Sequence, residues 1–113
     1  MNRRSVGKQH EERAAAFLES RGYQILERNF TAPRGEIDLI ARDGRYLVFV
    51  EVKYRSSLKQ GEPLEAVGQT KQARIKMAAA WYLMKRGLPQ EEPCRFDVVG
   101  ILGEEIGLVQ NAF

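Results

Sequence analysis

The chain contains very little cysteine and histidine: its 113 residues include one of each, Cys94 and His10. A single cysteine excludes an internal disulfide framework, and it also excludes a cysteine-based structural zinc site. Any metal ion bound here would be held mainly by oxygen ligands, which favours magnesium, manganese or calcium over zinc.

Long hydrophobic runs are also missing. No stretch approaches the roughly 18 apolar residues that a membrane-spanning helix needs, and the longest candidate, Tyr46–Val52, is interrupted by Glu51. The basic start of the sequence is not followed by an apolar segment, so we expect no secretory signal. The sequence therefore predicts a cytoplasmic protein that does not enter a membrane.

The composition is that of a folded globule, with 43% hydrophobic and 29% charged residues. A single core usually serves about 100–150 residues, so residues 1–113 are expected to form one domain, with residues 1–6 flexible. The net charge is +3, and 12 of the 18 basic residues are arginine, whose planar guanidinium group suits phosphate. This mild excess is compatible with a polyanionic partner but does not identify one.

Local patterns predict a mixed α/β domain whose elements follow the order α-β-β-β-α-β-β, with one sheet of about five strands flanked by helices. The first helix is predicted over residues 5–21, where Glu11 and Leu18 share one apolar stripe. The second is predicted over residues 63–86, because Pro63 favours a first-turn position. The predicted strands are residues 24–30, 36–41, 46–54, 95–102 and 106–110.

The dipeptide Asp43–Gly44 predicts the two-residue turn of a hairpin between the second and third strands. In that register Asp38 lies opposite Phe49, and Glu36 lies opposite Glu51. Because side chains alternate along a strand, one face of the hairpin is predicted to be entirely apolar. That face comprises Ile37, Leu39, Ala41, Val48, Val50 and Val52.

The other face of the hairpin gathers three carboxylates and an ammonium group at its open end: Glu36, Asp38, Glu51 and Lys53. Opposed carboxylates repel each other, and burying them beside apolar residues destabilises a fold. A structural ion pair on an exposed face contributes only about 0–1 kcal/mol, which does not explain the clustering. Converging carboxylate oxygens can instead hold a divalent cation, with Lys53 beside it to orient a water or to stabilise charge on a phosphate oxygen.

Asp38 and the string Glu51-Val52-Lys53 resemble the D…(D/E)xK signature of the PD-(D/E)xK nuclease superfamily, which has the restriction-endonuclease-like fold. More narrowly, the chain from about Gly7 to Val109 resembles the small YraN-like family of uncharacterised bacterial proteins. The matching strings are GEIDLI at residues 35–40, FVEVKYR at residues 49–55 and RFDVV at residues 95–99.

The resemblance implies that Asp38 and Glu51 are metal ligands, that Lys53 is the catalytic lysine, and that Mg²⁺ or Mn²⁺ is the cofactor. Glu11 matches an acidic position that archaeal Holliday-junction resolvases use as an additional ligand, although the residue before it is not the usual glycine. For Glu36, a role as a further ligand and a place on the hairpin rim both stay open.

Four further residues are candidates for nucleic-acid contact. Lys71 and Gln69 match a position where relatives place a residue that contacts phosphate or a water beside the metal. Arg34 and Arg55 flank the open end of the hairpin, beside the predicted cation site. Asp97, by contrast, is expected to be a buried structural carboxylate.

Together these features predict a Mg²⁺- or Mn²⁺-dependent endonuclease that acts on DNA. Because the sequence lacks a recognition helix and a zinc finger, we expect selectivity for branched or single-stranded DNA rather than for base sequence. A homodimer that grips two strands would suit so small a domain. Two alternatives stay open: a non-catalytic nucleic-acid-binding module, and an adaptor whose long helix docks a partner through Trp81 and Met84.

Overall fold

The computed structural model describes residues 3–57 and 67–113. In chain order its elements are α1 (Arg3–Ser20), β1 (Gln24–Ala32), β2 (Gly35–Asp43), β3 (Tyr46–Arg55), α2 (Gln69–Lys85), β4 (Cys94–Leu102) and β5 (Glu105–Val109). The predicted mixed α/β architecture and the order α-β-β-β-α-β-β are confirmed. Most of the predicted loop over residues 56–61 lies outside the described residues, as do residues 1 and 2 of the segment that was expected to be flexible.

The five strands form one sheet in the order β1-β2-β3-β4-β5. Neighbouring strands are antiparallel except β3 and β4, which are parallel. A parallel pair needs a crossover, and α2 lies within the connection that supplies it. Across the part of the chain that the structure describes, neither helix is long and apolar enough to cross a membrane.

The sheet is the middle of three layers, with α1 on one face and α2 on the other. The α1-side core contains Ala14, Ala15, Leu18, Tyr23, Leu39, Ala41, Val48, Val50, Val99 and Ile101. The α2-side core contains Ile37, Ile40, Leu47, Phe49, Val67, Ile75, Ala78, Ala79, Tyr82 and Val98. The predicted apolar face of the hairpin therefore packs under α1, with one correction: Ile37 belongs to the α2 side.

The hairpin between β2 and β3 is shifted by two residues from the predicted register. Asp43 pairs with Tyr46, so the turn consists of Gly44 and Arg45 instead of Asp43 and Gly44. Gly44 has φ 58, a conformation that glycine adopts without steric penalty, and glycine is the preferred first residue of this kind of turn. Placing the glycine first in the turn explains the shift.

The shift changes which residues face each other across the hairpin. Ile40 pairs with Phe49 and Leu39 with Val50, so Asp38 lies level with Glu51 rather than opposite Phe49. The predicted opposition of Glu51 to Glu36 is also wrong. Because side chains alternate with a period of two, a two-residue shift by itself moves no side chain to the other face, so the register shift is not what places Ile37 on the α2 side.

The start of α2 also differs from the prediction. Gly68 is extended, with φ −62 and ψ 152, and it caps a helix whose first residue is Gln69. The Gln72 side-chain amide donates to the Val67 carbonyl at 2.7 Å, which satisfies a carbonyl just before the helix. The predicted start at Pro63 lies outside the described residues, but the helix that ends at Lys85 does not extend back through Gly68.

Candidate metal and nucleic-acid site

Asp38 and Glu51 meet where the pairing of β2 with β3 ends. The pairing runs as far as Leu39 and Val50. Beyond it, the Val52 N–H donates to Asp38 Oδ2 at 2.8 Å. A carboxylate thus accepts a hydrogen bond that a strand carbonyl would otherwise take, and this bond fixes Asp38 beside Glu51.

The backbone of β1 is irregular at the same level. Arg28 pairs with Leu39 and Phe30 pairs with Ile37, which leaves Asn29 opposite Asp38. Asn29 has φ 54, a left-handed conformation that asparagine tolerates better than most residues. Ile37 and Leu39 are two residues apart on β2 but pack on opposite faces of the sheet, so the alternation of side chains is broken between them. Asp38, the residue between them, lies at this break.

The carboxyl group of Asp38 titrates far from its ordinary range. Burial and the neighbouring Glu51 carboxylate raise the pKa of Asp38 to about 7, and Glu11 acts in the same direction. The Val52 N–H and the Lys71 ammonium group oppose this shift without cancelling it. Such a raised pKa indicates excess negative charge in a poorly hydrated place, which is common at functional sites.

Lys71, in the first turn of α2, forms an ion pair with Glu51. Its Nζ lies 2.9 Å from Glu51 Oε1; the Glu51 side chain is 8% exposed and that of Lys71 59% exposed. Burial lowers the pKa of Lys71, but the hydrogen bond to Glu51 and the charges of Asp38 and Glu36 outweigh it and raise the pKa overall. A solvent-accessible ammonium group therefore supplies positive charge to two crowded carboxylates.

Glu11 and Glu36 line the same cleft beside this pair. The cleft has a volume of about 550 Å³ and is also lined by Gly7, Lys8 and Asn29. Glu11 is half-buried on α1, and Glu36 is exposed near the start of β2. The structure therefore brings both candidate ligands to the edge of the sheet where Asp38 lies.

Two contacts fix α1, and hence Glu11, over the sheet. The His10 ring stacks on Tyr54 of β3 with ring centroids 3.7 Å apart and an interplanar angle of 14°. Arg13 Nη1 donates to the Gly103 carbonyl in the β4–β5 turn at 3.0 Å. Burial, followed by the Arg13 charge, lowers the pKa of His10, so the stacked ring is neutral at neutral pH.

Basic side chains lie on the other side of Glu36. Arg34, Lys71 and Arg74 line a second cleft of about 380 Å³, which shares Glu36 with the first. All three basic residues are exposed. Sequence reasoning predicted Arg34 and Lys71 but missed Arg74; its position three residues after Lys71, on the same helical face, was the available signal.

Gly35 determines how closely α2 approaches this cleft. A Cβ atom at Gly35 would lie 2.7 Å from the Arg74 carbonyl oxygen, closer than real Cβ contacts allow. Only glycine therefore permits the β1–β2 turn to pack directly on the α2 backbone. This contact sets the position of Arg74 relative to the carboxylates.

The remaining predicted residues lie at different distances from the pair. Lys53 is half-buried on β3, two residues beyond Glu51 and therefore on the same face. Gln69 is exposed at the first residue of α2. Arg55 lies four residues past Glu51, about 13 Å along the strand, and its Nη1 donates to the Tyr54 carbonyl at 2.9 Å. The structure therefore does not bring Arg55 to the carboxylates.

Asp97 is fully buried and belongs to a separate network, as predicted for a structural carboxylate. Its Oδ1 accepts from Arg95 Nε and from the Asn111 N–H, each at 2.9 Å. Its Oδ2 accepts from the Tyr23 hydroxyl at 2.7 Å and from Arg95 Nη2 at 2.9 Å. Four donors satisfy the carboxylate, so it has no need of a cation.

The donor set at the first site suits a hard divalent cation. Among residues 3–57 and 67–113, no three or more His, Cys, Asp or Glu side chains are grouped closely enough to form a ready-made metal cage. Magnesium does not need one, because it usually keeps several waters and binds through one or two carboxylates. Asp38 and Glu51, with their excess negative charge, fit that pattern and do not fit structural zinc.

Comparison with known proteins identifies the family. A sequence profile described as "Uncharacterised protein family UPF0102" matches residues 10–101. A UPF0102 protein of Lachnoclostridium phytofermentans is 51% identical over 113 residues, which cover 100% of this chain and 96% of the relative. A UPF0102 protein of Thermodesulfovibrio yellowstonii is 45% identical over 113 residues, with coverage of 100% and 99%. The resemblance to the YraN-like family is thus confirmed, and the chain belongs to the uncharacterised protein family UPF0102.

Proposed function

We propose that this chain is a Mg²⁺- or Mn²⁺-dependent endonuclease that hydrolyses DNA phosphodiester bonds in the cytoplasm. The observation that supports this proposal is the close approach of Asp38 and Glu51 at the end of the β2–β3 pairing. Their crowding raises the pKa of Asp38 to about 7, so a divalent cation would relieve a repulsion already present. Asp38 and Glu51 would hold that cation, with Glu11 and Glu36 beside them.

Lys53 and Lys71 have separate roles in the proposed reaction. When bound, a divalent cation supplies charge stabilisation to the phosphate and a coordinated water of lowered pKa. Lys53, on the same face of β3 as Glu51, orients the attacking water or stabilises charge on a phosphate oxygen. Lys71 has an exposed side chain, so it can exchange its contact with Glu51 for one with a phosphate oxygen. Hydrolysis joins the water oxygen to phosphorus and breaks one P–O ester bond, and the leaving oxygen takes up a proton.

The proposed selectivity is for DNA structure. In the described residues both helices pack on the sheet, and neither projects as an element that could enter a major groove. Arg34, Lys71 and Arg74 are suited to phosphate, which carries no base sequence. Branched or single-stranded DNA is therefore the proposed substrate.

Cleavage of defined substrates tests the proposal. Purified protein with Mn²⁺ should cut forked, nicked or four-way DNA, and Glu51→Ala and Lys53→Ala should each reduce the rate at least about 100-fold. Glu91→Ala, which removes an exposed carboxylate from the loop before β4, serves as the matched control and should cut at the wild-type rate. Undiminished cleavage by both site variants would refute the assignment of the site.

A non-catalytic nucleic-acid-binding module is the second candidate. It is favoured by the ion pair in which Lys71 already supplies a positive charge to Glu51. This candidate predicts DNA binding without cleavage at any Mn²⁺ concentration, and a melting temperature that does not respond to Mn²⁺.

A further inference from the structure

Three surface clefts lie near the candidate metal site, and two of them border α2. The first, beside Glu11, shares Glu36 with the basic cleft. The basic cleft shares Ala32 and Arg34 with a third, smaller cleft of about 210 Å³. The two clefts that border α2 are here together called the α2 groove, which runs from Glu36 and Lys71, beside the candidate metal site, to Trp81.

The end of the α2 groove nearest the candidate metal site carries positive charge. Arg34, Lys71 and Arg74 are exposed along it, and Glu36 is the acidic residue in its lining. Lys71 and Arg74 are three residues apart on α2, so their side chains lie on one helical face. Basic groups next to a phosphate-cleaving site are placed to hold neighbouring phosphates of the same strand.

The far end of the α2 groove is apolar. Besides Arg34, its lining consists of Ala32, Pro33, Met77, Ala78 and Trp81. Met77 is 46% exposed and Trp81 is half-buried, so apolar surface of both side chains remains open to solvent. An exposed apolar patch that continues a basic cleft is suited to a ligand with alternating charged and aromatic parts.

The length of the α2 groove matches a short piece of nucleic acid. Lys71 and Trp81 are ten residues apart on one helix, a distance of about 15 Å along its axis. That distance corresponds to about four nucleotides at the B-form spacing of about 3.4 Å, and to fewer in an extended strand. The bases of a duplex are stacked inside it, so only an unpaired base offers a face to an aromatic side chain.

We propose that the α2 groove binds an unpaired DNA strand, with its phosphates on Arg34, Lys71 and Arg74 and one of its bases against Trp81. This inference rests on the proposed function, because the same strand would carry the phosphate that reaches Asp38 and Glu51. The substrate class is DNA with a single-stranded segment of up to about four nucleotides beside the cleaved bond.

Trp81 is the only tryptophan in the chain, so its fluorescence reports on the apolar end of the groove directly. The full chain is titrated with a single-stranded oligodeoxynucleotide of about eight nucleotides in the presence of EDTA, which prevents metal-dependent cleavage. We expect saturable quenching of the Trp81 emission that coincides with binding measured by the anisotropy of a labelled oligonucleotide. A duplex of the same length should bind more weakly and quench less.

Two variants and two matched controls on α2 sharpen the test. Trp81→Ala should weaken single-strand binding about 5- to 150-fold, the loss of one stacked base, whereas Trp81→Phe should retain most of the affinity. Arg74→Gln should weaken binding and reduce the slope of log affinity against log salt by about one. Met84→Ala and Lys85→Gln remove exposed groups of the same helix outside the groove and should bind as the wild type does.

Three results would overturn the groove assignment: binding without a change in Trp81 emission, duplex binding as tight as single-strand binding, or unaltered binding by both Trp81→Ala and Arg74→Gln. Because the titration contains no divalent cation, its outcome is separate from that of the cleavage assay. Cleavage without quenching would refute the groove and keep the nuclease. Quenching without cleavage would keep the groove as a DNA-binding surface and refute the nuclease.

Discussion

Asp38 carries a carboxyl group that titrates near neutral pH in the folded chain, because burial and the Glu51 charge disfavour its ionised form. At pH values between the ordinary aspartate pKa of about 4 and the raised pKa of about 7, the folded state holds a proton that the unfolded state has released. The unfolded state therefore binds fewer protons in this interval, and the free energy of unfolding falls as the pH rises. Above about pH 7 the two states are ionised alike and the loss is complete.

The variant Asp38→Asn should remove this pH dependence. Asparagine keeps an oxygen that accepts the Val52 N–H but cannot ionise. We expect the variant to be more stable than the wild type without metal, with an advantage at about pH 8 that exceeds the advantage at about pH 5 by at most about 3 kcal/mol. Urea unfolding in EDTA at both pH values measures the difference, and Glu91→Gln is the exposed control. An equal advantage at the two pH values would contradict the raised pKa.

At the scale of the elements, the contact between the β1–β2 turn and α2 sets the spacing of the site. Gly35→Ala would drive a methyl group into the Arg74 carbonyl, 2.7 Å away, so strand and helix must separate. We expect a loss of about 1–3 kcal/mol in the free energy of unfolding.

Gly7→Ala is the matched control for Gly35→Ala. Gly7 lies within α1 and has no heavy atom within 4 Å of an added Cβ, so the substitution should be neutral or stabilising by up to about 1 kcal/mol. Chemical denaturation measures both variants. Equal stabilities for the two alanine variants would show that the close approach of α2 does not constrain the fold.

The network around Asp97 joins Tyr23, in the turn between α1 and β1, to β4 and to the residues after β5. Tyr23→Phe removes one of the four donors to that buried carboxylate, and we expect it to lower the free energy of unfolding by about 1–3 kcal/mol. Tyr46→Phe, which removes a hydroxyl bonded only to the exposed Arg45 among the contacts described, should change stability by less than about 0.5 kcal/mol. Thermal unfolding compares them, and a Tyr23→Phe variant as stable as Tyr46→Phe would refute the importance of the network.

The sequence predicted the order of these elements because the hydrophobic period changes clearly between helix and strand. It could not predict the hairpin register, because a two-residue shift does not by itself change the face of any side chain, so apolar and polar residues alternate equally well in both registers. The observed register is the one that places Gly44 first in the turn, where its positive φ is tolerated. The start of α2 was missed for a similar reason: Pro63 favours a helix locally, whereas Gly68 adopts an extended conformation.

The candidate site likewise contains residues that the local pattern indicates and residues that only the tertiary structure brings together. Asp38, Glu51 and Lys53 could be chosen as candidates because charged residues interrupt an otherwise apolar hairpin, and their roles in metal binding and catalysis stay predictions. Arg74 and Asn29 could not be chosen in this way, because their proximity to the site depends on tertiary contacts: the close approach of Gly35 to α2, and the pairing of β1 with β2.

At the scale of the whole molecule, the candidate metal site and the buried Asp97 network lie at opposite ends of the sheet. The start of α2 and the end of the β2–β3 pairing share one end, so Lys71 reaches Glu51 there. Near the hairpin turn, Arg95 joins Asp43 to the fully satisfied Asp97 network. The end with unbalanced negative charge is where a cation is proposed to act, and the balanced end stabilises the fold.

The most direct test is a crystal structure of the protein grown with Mn²⁺, in which anomalous scattering locates the metal. We expect one manganese peak in contact with the carboxylates of both Asp38 and Glu51, with Lys71 Nζ withdrawn from Glu51. If the crystal shows no peak there and Lys71 keeps its contact with Glu51, or if the two carboxylates point apart, the proposed cation site is contradicted.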